Sequence, residues 1–253
     1  MENTMKNKDL QTALLFALIG LIAGYFTGLY QASIATEELK QQILAGVGSM
    51  QTMMLIAAVQ AAVYAFLSAF IGLKLARKVN LRLNFTFDKN AFVTAILIGL
   101  AVAFIITGSD RFIFADYLPA QATHYVFSPV YLTVGILYGG IVEEVMLRLL
   151  VMSLLVLILW KLFARSKESH AIPGRIYITA IVLAAGLFAA GHLPITAQTL
   201  GLSAPILIRC FVLNGIGGMG FGYLYWKKGL SYAMYAHAST HLFMQILFMP
   251  LFF

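Results

Sequence analysis

Charge is what this chain has least of. Only 11% of its 253 residues are Asp, Glu, Lys or Arg, whereas 61% are hydrophobic and the mean hydropathy is +0.87. A water-soluble fold of that composition has too little polar surface to cover its core, which excludes the ordinary globular classes. Cysteine is nearly absent too. The single Cys210 excludes an intrachain disulfide and any cysteine cluster for metal, and it reads as a small packing residue, not a nucleophile. Internal repeats, low-complexity tracts and a soluble domain are also missing, so residues 1–253 read as a single integral membrane domain.

What is present is apolar sequence in long blocks: 10–34, 50–75, 91–107, 128–163, 176–192, 204–226 and 230–253. Most approach or exceed the roughly 20 residues that cross a bilayer as a helix, the structure that satisfies every backbone group without water. The expected fold class is all-α, a polytopic transmembrane helical bundle with seven spans. An eighth follows if the long fourth block divides or if residues 110–127 add a re-entrant piece. The first block has a basic lead and a Ser33-Ile34-Ala35 end resembling a cleavage site, but it is too long for a signal-peptide core and reads as a retained span.

The few charges are ordered. Lys6 and Lys8 precede block one; Lys74, Arg77, Lys78, Arg82 and Lys89 follow block two; Lys161, Arg165, Lys167 and Arg175 follow block four; Lys227 and Lys228 follow block six. The alternate loops hold only Lys40 and Arg111. By the positive-inside rule the N-terminus is expected in the cytoplasm and the C-terminus outside. The net charge of +7 is then a topology signal with contacts to anionic lipid headgroups. Nucleic acid is a poor partner for it, because the basic residues sit in separate loops and not on one face.

Polar residues at membrane depth are the informative ones, since a charge at a helix centre costs about 2.5 to 3.5 kcal/mol on insertion scales. That set is Glu143, Glu144, Arg148, His192, Arg209, Asn214, His237 and His241. Helical spacing sorts it. Glu144 and Arg148, at i and i+4, can pair and offset each other's burial. Glu143 points about 100° away on an α-helix and is left free to face a cavity. Phe188 and His192 share a face, as do His237 and His241, each pair separated by small residues. One carboxylate and three histidines from three helices are therefore placed to converge. The bland readings stand beside this: a Glu-Arg pair that is bundle glue, packing histidines, an Asn214-Gly218-Gly222 face for close helix contact, and an Arg209 that pairs with an acid or snorkels. His124 and His170 fall in loops and carry no assigned chemistry.

The ordered set "EEVMLR" (143–148), "FAAGH" (188–192) and "HASTH" (237–241) resembles the motifs of the CAAX-protease and bacteriocin-processing family of intramembrane endopeptidases, which includes the type II CAAX prenyl endopeptidases. The likeness covers about the C-terminal half. It implies a glutamate-dependent peptidase without a metal cofactor, in which Glu143 with His192 activates a water. His237 and residue 241 would donate to the oxyanion, and Glu144 with Arg148 would hold the site in shape. One position departs: the last motif ends in the family on Asn or Asp, and here on His241. A neutral imidazole donates from one nitrogen only, and His-x-x-x-His is also a metal spacing, so zinc on Glu143 and the three histidines is the minority alternative. No His-Glu-x-x-His signature is present.

The leading expectation is an intramembrane endopeptidase acting on membrane-associated peptides or protein tails, lipid-modified ones included, in a prokaryotic plasma membrane. A non-proteolytic scaffold or regulator of the same family is the alternative. A proton-relay transporter is weaker, since no paired broken helices support it. Depth is the unsolved point: at ~1.5 Å per residue Glu143 lies about 27 Å from Lys161 and His192 about 26 Å from Arg175, but His237 only about 14 Å from Lys228. Tilt, a kink in block four, or a last helix that starts deep in the bundle is required.

Overall fold

The computed structural model describes residues 2–120 and 125–253, with side chains from residue 7 onward, and among them every long element is helical. His124 lies outside the described residues. Helix α1 (Glu2–Ile34) packs along α3 (Met50–Lys78) through small residues. A Cβ on Gly24 would come within 2.4 Å of the Ala57 carbonyl oxygen, so the two backbones touch. At one end Arg77 grips Asp9 with both guanidinium nitrogens, at 2.8 and 2.5 Å. Between them lies the short surface helix α2 (Glu37–Val47), capped by the Thr36 hydroxyl and stopped at Gly48 with φ +81°.

Asp88 caps α4 (Lys89–Phe112), accepting from the backbone N–H of Asn90 and Ala91. This helix runs beyond the expected 91–107 because Asp110, in its last turns, is paired with Arg209 at 2.5 Å from both carboxylate oxygens. Residues 115–117 form one 3-10 turn, and the expected re-entrant segment 110–127 includes 121–124, outside the described residues.

The fourth block does not divide. It is one helical rod, Pro129–Phe163, whose winding changes: α5 (Pro129–Val134), then π-helical stretches Gly135–Glu143 and Val145–Met152, then α6 (Ser153–Phe163). Helix α7 (Gly174–Gly191) breaks at His192, and α8 (Leu193–Leu200) resumes with Pro194 in its first turn. Then come α9 (Ala204–Lys227) and α10 (Leu230–Phe243), which continues through a π turn (Met244–Phe248) into α11 (Met249–Phe252).

Among the described residues six helices are long and apolar enough to cross a membrane, so the expected seventh span is not confirmed. The run that begins at Leu230 is not one of them; His237, Ser239, Thr240, His241 and Gln245 interrupt its apolar character. Its position explains this. Helix α10 packs against α4, α9 and the first π stretch, with Ala236, His237, Ser239 and Thr240 buried, so its polar groups face protein. The loop before α4 is tied to the start of α10: Asn84 donates to the Lys228 carbonyl (2.7 Å), and Leu230 and Ser231 N–H bond the carbonyls of Arg82 and Leu83. The basic segments around Arg77, Arg82, His170 and Lys227 thus gather at one end of the bundle, and the Asp110–Arg209 pair at the other.

Candidate active site

The stretch 131–148 reads as two columns spaced by four. A helix with i→i+5 bonds turns less per residue than an α-helix, so residues four apart stay on one side. Tyr131, Gly135, Gly139, Glu143 and Leu147 form the first column and all line one cavity of about 500 Å³. Gly140, Glu144 and Arg148 form the second, turned inward; a Cβ on Gly140 would lie 2.8 Å from that of Ala238 on α10. Adjacent glutamates therefore part company: Glu143 is half-buried at the cavity wall, and Glu144 is fully enclosed.

Enclosure of Glu144 is sustained by two neighbours. Its Oε2 is 3.2 Å from Arg148 Nε, and its Oε1 accepts from His237 Nδ1 at 2.8 Å. Arg148 is equally buried; its Nη2 donates to the Gly218 carbonyl at 3.2 Å, and its guanidinium lies 4.8 Å from the Phe188 ring centre and 5.5 Å from that of Phe221. Aromatic faces take the place of further acceptors. A buried charge pair with this many contacts recovers much of its desolvation cost.

The same contacts orient the histidines. His237 is flat against Phe221 (4.5 Å between centroids, 18° between planes), with Nδ1 committed to Glu144 and Nε2 4.0 Å from Glu143 Oε2. His241 stacks on it at 5.2 Å. Space for both rings exists only because the facing residues are glycines: a Cβ on Gly135 would lie 2.5 Å from His241 Cγ, and one on Gly139 2.8 Å from His241 Nε2. His241 Nδ1 is buried without a hydrogen-bond partner. His192, at the break after α7, bonds the Phe188 carbonyl through Nδ1 at 2.9 Å. A carbonyl only accepts, so Nδ1 carries a proton, and in the tautomer this sets Nε2 is the nitrogen with the lone pair.

Glu143, His192 and His241 line the cavity together, and His237 sits directly behind Glu143. The π winding of the fourth block and the packing of α10 against it bring Glu143 and His237 together. Two members of the polar set fall elsewhere. Asn214 donates back to the Cys210 carbonyl and does not line the cavity, and Arg209 is occupied by Asp110. Cys210 is fully buried, its thiol 3.4 Å from the Ala189 carbonyl. Among the described residues no three His, Cys, Asp or Glu side chains are grouped to hold a metal ion.

Sequence reasoning missed the opposite wall. Thr27, Tyr30 and Gln31 of α1 line the cavity, with the Tyr30 ring stacked on Tyr131 at 4.8 Å, and Gln198 of α8 joins them. No motif marks these residues. The four-residue repeat of Tyr131, Gly135, Gly139 and Glu143 was the one legible signal of a cavity wall.

Comparison with known proteins bears on one part of the chain. Residues 125–243 match the family model described as type II CAAX prenyl endopeptidase Rce1-like. The comparison with curated proteins yields no match, and neither does that with solved structures. The matched segment holds Glu143, Glu144, Arg148, His192, His237 and His241, and excludes α1 to α4. The match spans just under half of this membrane-helical chain, so the likeness is to that family over residues 125–243.

Proposed function

We propose that the protein is an intramembrane endopeptidase that hydrolyses peptide bonds of membrane-associated peptides or protein tails. The observation that carries this reading is the placement of the Glu143 carboxylate and the His192 ring on one cavity, closed on its other side by α1 and α8. A water oxygen hydrogen-bonded to both Glu143 Oε2 and His237 Nε2 spans their 4.0 Å separation at a bent angle. Glu143, assisted by His192, takes a proton from that water as its oxygen bonds to the scissile carbonyl carbon. The carbonyl π pair moves onto oxygen, and His241 faces the oxyanion. With Nδ1–H spent on Glu144, neutral His237 offers its Nε2 lone pair to the water, and His241, whose Nδ1 has no competing partner, supplies the donor to the oxyanion. Collapse of the adduct breaks the C–N bond, and the proton held by Glu143 leaves with the amine.

Glu144 and Arg148 act by position in this scheme, holding His237 against Phe221. The proposed route is metal-independent; among the described residues no three His, Cys, Asp or Glu side chains are grouped as ligands. The family description supports substrates at the membrane, CAAX-type prenylated tails among them.

The deciding experiment is cleavage of a quenched fluorescent peptide library by the detergent-solubilised full chain, beside Glu143→Ala and beside a strong chelator. Activity lost in the variant and indifferent to chelator is expected. Loss with chelator moves the site to metal chemistry, and activity retained in both Glu143→Ala and His192→Ala sinks the proposal.

A further inference from the structure

A second cavity, of about 580 Å³, opens at the end of the bundle where the basic loops meet. Three separate connections build it: Asn80 and Arg82 from the α3–α4 loop, His170 from the α6–α7 loop, and Trp226 and Lys227 from the end of α9. No acidic residue lines it. Its floor is rigid. The Tyr177 ring stacks on Trp226 (5.1 Å, 14°), its hydroxyl donates to the Val79 carbonyl at 2.8 Å, and Lys227 Nζ sits 3.5 Å above the Trp226 ring. Arg82 is fixed through its own backbone, whose carbonyl accepts the Leu230 N–H. Its guanidinium makes no ion pair among the described residues, and His170 has only a loose 3.7 Å contact with Glu168. Gly174, first residue of the 18-residue α7, completes the rim, and no side chain caps that helix start.

Arg82 and Lys227 converge over an aromatic floor at an uncapped helix start, with no acidic residue in the lining, and such a site suits an anion. We propose that this cavity binds a phosphate group, with a phospholipid headgroup and a free phosphate as the two sources of that chemistry. Arg82 supplies the fork that fits phosphate oxygens, and Lys227 the second charge. The site lies apart from the cavity of Glu143 and does not depend on its chemistry.

Native mass spectrometry of the full chain in detergent tests this with phosphatidylglycerol and phosphatidylcholine as separate probes. The variants are Arg82→Gln/Lys227→Gln and, as a control of equal net charge at the same end, Lys74→Gln/Lys161→Gln. We expect one retained phosphatidylglycerol whose affinity falls about thirtyfold in the first variant and is unchanged in the control. A parallel thermal-shift series compares sodium phosphate with sodium chloride at matched ionic strength. Stabilisation by phosphate in the wild type but not in the first variant assigns a soluble source; retention of phosphatidylglycerol without that shift assigns the lipid. Equal losses in both double variants, or no loss of either probe in the first, overturn the proposal.

Discussion

Glu143 and Glu144 differ by one position and by nearly everything else. Among the described residues Glu143 is tied to its surroundings by the 4.0 Å approach to His237, so Glu143→Gln is expected to lower kcat/KM by about 10² to 10⁴-fold, the usual worth of a general base. Its unfolding midpoint should stay near that of the wild type. Glu144→Ala should do the reverse first: it strands a fully buried guanidinium and frees His237, costing about 3 to 5 kcal/mol in denaturant titrations. A paired Glu144→Leu/Arg148→Met replacement removes both charges and is expected to recover most of that stability but not activity, because His237 still lacks its acceptor. Recovery of cleavage in the pair would show that Glu144 does not act by holding His237.

At the scale of elements, the π-wound part of the fourth span decides the site. Its glycines face the histidine pair so closely that Gly139→Ala puts a methyl 2.8 Å from His241 Nε2 and 3.4 Å from His237 Nε2. Displacing those rings should cut turnover by about 10²-fold, as a 1 Å misplacement does, while the bundle stays folded by circular dichroism. Helix α1 has a different part. It packs on α3 and supplies Tyr30 and Gln31 to the cavity from outside the matched segment. Gly24→Leu forces α1 off α3 at the Ala57 carbonyl, and about 1 to 3 kcal/mol of destabilisation is expected, with Tyr30 withdrawn from Tyr131. Unchanged stability would mean that α1 is not fixed by that contact.

For the whole molecule the arrangement of charge is the testable feature. The basic segments share one end, and the single cysteine is buried at 0% exposure, so cysteines introduced one at a time into a Cys210→Ala chain report each loop cleanly. Cysteine at Phe85 is expected to react with an impermeant maleimide only in inside-out vesicles, and cysteine at Leu202 only in right-side-out ones. The opposite pattern reverses the assigned topology. The seventh crossing is the finer question, because the run from Leu230 carries polar groups that are stable in a membrane only while neighbouring helices enclose them.

The amino-acid sequence by itself determined the class of molecule, the order of its apolar blocks and the residues that do not belong in them, because membrane burial makes each polar group expensive enough to be conspicuous. It also separated Glu144 from Glu143 by their distance to Arg148. What the tertiary structure alone decided was company. Local spacing does not reveal a π ladder, which packs against α10, nor that α10 is enclosed by α4 and α9. Asp110 as the partner of Arg209, the wall given by α1 and the meeting of three basic loops are pairings between residues far apart in the chain. No periodicity in one segment encodes them; they exist because the whole bundle closes.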